Sequence, residues 1–430
     1  MKKMLARYPI GNPRRKWKQD NFTLSLFEPG PMGLERGGPV DCEKARRGMQ
    51  TAKDAGFKSV DLCWASPEIA MEMVRTAEQI CLPLMYQNLL RFGGMGYRKE
   101  KNLRPEDNDL EGVMRDIAPW KWIHGLVIYD EPILPEQRTL VRDMISRFEE
   151  VYPDRLPFAC TDAGMIDEMA DEVDPVQLSF DQYPFGGWVG DGMTPDGQMD
   201  GCTTYWRNME TGRRAAKRIE APYWFIYQGH ELPYIPMLDS YTFTASRMMA
   251  NAALLYGAKG VSAYVECDGV LDAESGGHGI YFGEQKKLNQ EIDKLGNTLM
   301  ALECQRVIHD ESVVLDTETT EYPTMEDSEL LTGELPHRIS ISELKDAYGN
   351  DYLMVLNRDY RKATRYILKM KDAMRVWRVS DVDGEQYLAF DDDSNSIVGT
   401  LEAGCIALYR LQPRSEKPYA IGYYLDKGMI

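Results

Sequence analysis

The chain has 430 residues, 43% hydrophobic and 27% charged, enough for a sizeable core in one large domain with a smaller one beside it. Its 68 Asp and Glu outnumber 50 Lys and Arg, and the formal net charge of -18 opposes binding to nucleic acid or to an anionic membrane. A neutral or cationic small substrate fits that charge better.

No apolar run reaches the length of a transmembrane helix, so the chain reads as soluble and cytoplasmic as it stands, or periplasmic or secreted if a leader has been removed. The eight cysteines show no CxxC and no zinc spacing, and free thiols are expected. With five histidines and no HExxH, no metal is expected. No glycine-rich turn has nucleotide-site spacing, so no cofactor is expected either. The sequence carries no signature of oligomeric state. The basic N-terminal arm, with Lys2, Lys3, Arg7, Arg14, Arg15, Lys16 and Lys18, reads as a solvated extension of an acidic body.

From Asn21 onward short apolar runs alternate with amphipathic stretches, the pattern of a parallel α/β fold. Eight runs stand out: Phe22 to Phe27, Ser59 to Trp64, Leu84 to Leu89, His124 to Tyr129, Phe158 to Thr161, Val176 to Tyr183, Tyr223 to Gln228 and Gly260 to Glu266. Between them, Leu140, Val141, Met144, Ile145, Phe148 and Val151 trace one helical face, as do Leu288, Ile292, Leu295, Leu299 and Leu302 after the last run. Such units, complete by about residue 303, predict a (β/α)8 TIM barrel. A doubly wound open sheet would need a phosphate turn after its first strand, and Glu28-Pro29-Gly30-Pro31-Met32-Gly33 has the wrong spacing.

After about Gln305 the pattern becomes short alternating strands separated by turns: Ser312 to Leu315, Ile339 to Leu344, Tyr352 to Asn357, Tyr366 to Met370, Met374 to Val379, Tyr387 to Phe390, Ser396 to Leu401 and Cys405 to Leu411. The expected division is a barrel over 1–304 and a C-terminal antiparallel β-sandwich over 305–430. The sandwich reads as a structural support rather than a separate carbohydrate-binding module.

The stretch that points to chemistry is Gly125-Leu126-Val127-Ile128-Tyr129-Asp130-Glu131-Pro132. A buried strand ends there in two carboxyl groups, and Pro132 cannot continue the ladder. Parallel β/α folds bind ligands outside the carboxyl ends of their strands. An Asp-Glu-Pro lip on a fourth strand, with a β-sandwich behind the barrel, resembles the clan A glycoside hydrolases. It is similar in particular to gut-bacterial barrel hydrolases reading Tyr-Asp-Glu-Pro there. Asp181-Gln182-Tyr183-Pro184-Phe185, the aromatic run Tyr223 to His230, Leu255-Tyr256-Gly257-Ala258-Lys259-Gly260 and the closing strand Leu401 to Tyr409 carry the same likeness. The resemblance implies a hydrolase of glycan fragments with Glu131 as acid/base. It departs at Asp130, where the clan has Asn, and at Gln228, where it has a nucleophilic Glu.

Glycosidic cleavage needs a second carboxylate. Glu266, ending the eighth run, and then Glu231, just past the seventh, are the candidates. Alternatively Asp130 orients a substrate acetamido group as nucleophile, as in hexosaminidases with an Asp-Glu pair. Neighbouring strand residues face opposite ways, so that scheme needs a twist at the strand end. Sugar faces call for aromatic rings, and Trp64, Tyr183, Trp188, Tyr227 and Tyr264 lie at or beyond strand ends. Glu28, Gln87, Asn88, Asp181, Gln228 and His230 are candidates for the hydroxyls. Two other classes fit the same features: a non-catalytic carbohydrate-binding barrel, and a barrel lyase or isomerase using lip carboxylates.

Overall fold

The structure, a computed structural model, describes residues 10–27, 29, 41–62, 66–87, 109–186, 198–231, 241–265, 268–317, 320–390 and 395–416. Eight parallel strands close into a barrel: β1 (Thr23–Phe27), β2 (Ser59–Asp61), β3 (Leu84–Tyr86), β4 (Ile123–Asp130), β5 (Leu156–Asp162), β6 (Leu178–Gln182), β7 (Tyr223–Gln228) and β8 (Gly260–Tyr264). Each coincides with one of the predicted runs. Its helices bury their apolar faces on the barrel. In Pro135–Val151 the stripe Val141, Met144, Ile145 and Phe148 is buried.

Rings from strands that are not neighbours meet inside the barrel. Phe27 of β1 lies 6.3 Å from Phe158 of β5, and Phe158 lies 6.3 Å from Trp224 of β7. Trp17 closes the floor with its ring 6.3 Å from Trp224, whose indole N–H donates to Gln19 Oε1 at 2.9 Å. The described part of the arm that was expected to be solvated, from Ile10 onward, is therefore docked. Arg14 donates to Asp174 Oδ1 at 2.7 Å and Arg15 to its carbonyl at 2.6 Å, because Asp174 turns through the left-handed region and presents both groups to the arm.

Asp61, at the end of β2, is completely buried, and among the described residues neither of its carboxyl oxygens has a hydrogen-bond partner. The nearby hydroxyls of Ser25 and Ser59 are bonded to each other at 3.0 Å. Burial pushes the Asp61 carboxyl up to about 7, with the serines opposing.

The helix Phe282–Ala301 runs straight into β9 (Leu302–His309). Then follow β10 (Leu331–Thr332), β11 (Ile339–Asp346), β12 (Asp351–Asn357), β13 (Thr364–Met370), β14 (Met374–Val379), β15 (Gln386–Phe390), β16 (Ser396–Leu401) and β17 (Ile406–Pro413). They form a six-stranded sheet, β15-β14-β17-β12-β11-β9, and a three-stranded sheet, β10-β13-β16. Ser312 to Leu315, expected as a strand, is irregular. Its alternation instead serves a turn in which the Ser312 hydroxyl meets Arg358 at 2.9 Å.

The large sheet is buried on both faces at its centre, β12, while its edge strand β15 is exposed. Leu353 and Val355 of β12 join the core between the sheets, while Tyr352, Met354 and Leu356 join the barrel core. The helix Phe243–Leu255 lies between barrel and sheet and is buried nearly all round. Gly404 sits against it with φ 68°, and a Cβ there would come within 2.7 Å of Thr244 O. Only glycine permits that approach. Among the described residues no helix is long and apolar enough to cross a membrane.

The shared core predicts that both domains unfold together. Met354→Ala lowers stability by about 2 to 5 kcal/mol, and denaturant curves read by circular dichroism and by tryptophan fluorescence stay coincident. Asp61 holds its proton more tightly folded than unfolded, from 3.8 up to about 7. The stability it contributes is complete at pH below 3.8 and is lost as pH rises through about 7. Asp61→Asn therefore raises the Tm at pH 8 by several degrees and leaves it nearly unchanged at pH 4; an equal gain at both pH values contradicts this account.

Candidate active site

The adjacent ends of β4, β5 and β6 bring together carboxyl groups that the sequence spreads over fifty residues. β4 carries one extra residue against β5 between Val127 and Tyr129, and a bulge of this kind bends a strand and increases its twist. The chain then leaves through Glu131 with φ 54°, while the Glu131 N–H still donates to Cys160 O of β5 at 3.0 Å. A side chain with a Cβ takes that left-handed conformation at a cost of about 1 to 2 kcal/mol. Pro132, lacking an N–H, ends the ladder. Asp130 is half-buried and falls opposite Cys160.

Asp162 of β5 and Asp181 of β6 are register partners, so their side chains leave the sheet on one face from strands about 4.8 Å apart. Asp162 is exposed and accepts the Gly164 N–H at 2.7 Å, capping the turn Ala163–Met165. The facing of β6 is fixed by its other residues. Phe180 stacks on Tyr223 at 5.5 Å, and Gln182 accepts from Asn208 of the outer helix Thr203–Ile219 at 3.4 Å. Both point outward, which turns Ser179 and Asp181 inward.

Burial raises the Glu131 carboxyl above its ordinary range, and the charge of Asp162 raises it further. Asp181 is pushed up to about 7, by burial first and then by Glu131 and Asp162, against a hydrogen bond with Tyr183. The Tyr183 ring stacks on Tyr264 of β8, with centroids 4.6 Å apart and planes 19° from parallel. His230 packs on the same tyrosine at 5.1 Å, and its Nδ1 lies 3.0 Å from Tyr264 O.

The residues singled out from the sequence do not all converge. Asp130, Glu131, Asp181, Tyr183 and Tyr264 gather at one lip. Gln87, Gln228 and His230 lie at strand ends but are buried. The Gln228 amide is engaged on both sides, accepting the Phe185 N–H at 3.2 Å and donating to His230 O at 3.1 Å. Tyr227 points away from the mouth. Its hydroxyl accepts from Gln285 of the helix Phe282–Ala301 at 2.9 Å, because strand alternation sends it outward when Gln228 faces in. Glu231 is exposed, just past His230. Glu28, Trp64, Asn88, Trp188 and Glu266 lie outside the described residues.

The sequence reading missed Asp162, which stands one residue beyond the run ending at Thr161. It also passed over Asp61, whose signal was an acid inside the buried run Val60-Asp61-Leu62. Among the described residues no group of three or more His, Cys, Asp or Glu side chains is arranged to hold a metal ion.

No family model matches the chain, and no curated protein matches it. Solved structures do. A Bacteroides fragilis protein described as an α-galactosidase is 10% identical, with a TM-score of 0.54 over 91% of this chain and 79% of its own. A GH27 β-L-arabinopyranosidase from Geobacillus stearothermophilus is 9% identical, with a TM-score of 0.52 over 93% and 98%. A β-glucuronidase from Lactobacillus rhamnosus, 12% identical with a TM-score of 0.47, matches 63% of this chain, which spans only 50% of that enzyme's length. At such identities the likeness is one of fold. The closed eight-stranded parallel barrel with an antiparallel β-domain behind it is an architecture this chain has in common with solved glycoside hydrolases.

Proposed function

We propose that the chain is a glycoside hydrolase whose reacting carboxyl pair is Glu131 and Asp181. The observation that carries this reading is the electrostatics of the β4–β6 lip: two carboxyl groups at the ends of strands on either side of β5, each raised by burial and by like charge. Glycosidic cleavage asks for one carboxyl that keeps a proton and one that has lost it. Asp181, facing both Glu131 and Asp162, is the group that holds its proton into the neutral range and donates it to the leaving oxygen. Glu131 then acts as base or nucleophile, exchanging the acid role that the sequence resemblance gives it. The Tyr183–Tyr264 stack offers an apolar face for the sugar beside the pair.

The lip also favours a substrate class. Among the described residues at the strand ends, Phe27, Asp61, Gln87, Asp130, Glu131, Asp162, Tyr183, Gln228, His230 and Tyr264, none is a lysine or arginine. A uronic acid would bring another negative charge into this cluster, so neutral or cationic sugars fit it. A second reading draws on the left-handed turn at Glu131. That turn is the twist which lets Asp130 and Glu131 both address a substrate, with Glu131 as donor and Asp130 holding an acetamido nucleophile.

On a panel of aryl glycosides, Glu131→Gln and Asp181→Asn each lower kcat/KM by about a hundredfold or more. With dinitrophenyl leaving groups, which need no proton, Asp181→Asn regains most of its loss and Glu131→Gln does not. Turnover confined to 2-acetamido sugars selects the second reading. Glycan binding without turnover, or full activity of both variants, removes the assignment.

Wild-type activity needs Glu131 ionised and Asp181 protonated. It rises with pH above the ordinary carboxylate range and falls as pH passes about 7. The kcat/KM profile of the wild type checks both limbs, and Asp181→Asn removes the basic one.

A further inference from the structure

The turn between β12 and β13, residues 358–363, reaches out of its own domain. Arg358 is buried and donates to Asp200 and Asp310, with its guanidinium 5.8 Å from the Trp206 ring. Asp359 accepts from Gln198 at 3.1 Å, and Arg338 bonds Asp200 at 2.6 Å. Gln198 and Asp200 stand just before the helix Thr203–Ile219, at the far end of the connection that begins after β6. At its near end Phe185, buried in the turn Pro184–Gly186, meets the edge of Tyr360, with ring centroids 5.6 Å apart and planes at 80°. Tyr241 holds the other side of Phe185 at 5.8 Å, and Gln228 holds its N–H.

We propose that Tyr360, in the C-terminal domain, is a positioning residue of the barrel mouth, holding Phe185 and through it the Asp181–Tyr183 end of β6. This rests on the reading of Asp181 as proton donor. Phe185 is two residues from Tyr183, which lies just past the last laddered residue of β6, Gln182, so a shift of the anchor reaches Tyr183 and with it the hydrogen bond that Tyr183 makes to Asp181. Tyr183 is the group it would displace, between Tyr264 on one side and the Asp181 carboxyl on the other. Among the described residues, Glu131 after β4 and Asp162 from β5 are the other charged groups that act on Asp181. The β-domain is on this view part of the site's construction, although it supplies no reacting group.

The experiment compares Tyr360→Leu, Tyr360→Phe and wild type on one aryl glycoside across pH, with Tm measured alongside. Tyr360→Leu keeps an apolar side chain in the buried site but removes the flat ring and part of its volume, which is why Tm is measured alongside. Its kcat falls about tenfold or more with KM within about twofold, as expected when a reacting group is displaced by a fraction of an ångström. The basic limb moves to higher pH, because Asp181 loses the Tyr183 hydrogen bond that eases its ionisation. Tyr360→Phe restores both readouts. Phe185→Leu, cut from the barrel side, moves the limb in the same direction and carries the test should Tyr360→Leu not fold. A folded Tyr360→Leu with wild-type kcat and an unmoved limb, whatever its Tm, overturns the proposal, as does a Phe variant impaired as much as the Leu one. If Asp181→Asn is itself fully active, the catalytic reading has failed instead.

Discussion

Three carboxyl groups on three neighbouring strand ends cannot all be ionised at low cost, and the candidate site depends on that conflict. The register that pairs Asp162 with Asp181 is set by the barrel's closure and cannot relax locally. The bulge in β4 and the left-handed Glu131 then bring a third carboxyl to the same place. Water would screen the repulsion, but Glu131 and Asp181 are partly withdrawn from it. The remaining way to lower the energy is to retain a proton, and a retained proton near neutral pH is what acid catalysis requires. The cost falls on stability, and the rest of the fold carries it through the aromatic barrel interior and the tryptophan floor.

The β-domain contributes more than weight. Its large sheet presents alternate residues of β12 to two different cores, and a strand used that way shows no polar face. The same burial explains the helix Phe243–Leu255, whose Ala-rich, weakly amphipathic sequence would be a poor surface helix. Across this interface runs a chain of alternating charges, from Asp310 through Arg358, Asp200 and Arg338 to Asp359. Buried ion pairs contribute little net stability, since desolvation offsets attraction. Their geometry is specific, however, and it ties the turn after β12 to the segment that follows β6.

Much of this was legible in the sequence, for a physical reason. Barrel strands are buried on both faces, so each leaves an uninterrupted apolar run, and all eight runs were visible. In the β-domain the strands from β11 to β17 were readable, but β9 (Leu302–His309), which continues directly from a helix, and the two-residue β10 (Leu331–Thr332) were not, and Ser312 to Leu315 has a spacing that belongs to a turn gripped by Arg358. Facing is harder to read than existence. Tyr227 and Gln228 are neighbours of similar apparent promise, and one residue of register sends Tyr227 to the helix layer. Asp162 went unnoticed because a run was judged by its apolar members, and the residue that matters is the first one after them. The convergence of Glu131, Asp162 and Asp181 is a property of strand order in space, which no local pattern records.

The end of β7, where the clan A resemblance marks a carboxylate, is occupied by an amide whose surroundings explain the choice. At Gln228 the surroundings ask for two opposite things from one side chain. The Phe185 N–H needs an acceptor and the His230 carbonyl needs a donor. An amide supplies both, whereas an ionised carboxylate has only acceptors and would leave the His230 carbonyl facing negative charge. Gln228 is completely buried, so water cannot make up the difference. The position that the clan A resemblance marks for a nucleophile is thus committed to fixing the turn after β6. In the reading proposed, that commitment is productive, because the turn it fixes at Phe185 is the one that orients Tyr183 and Asp181.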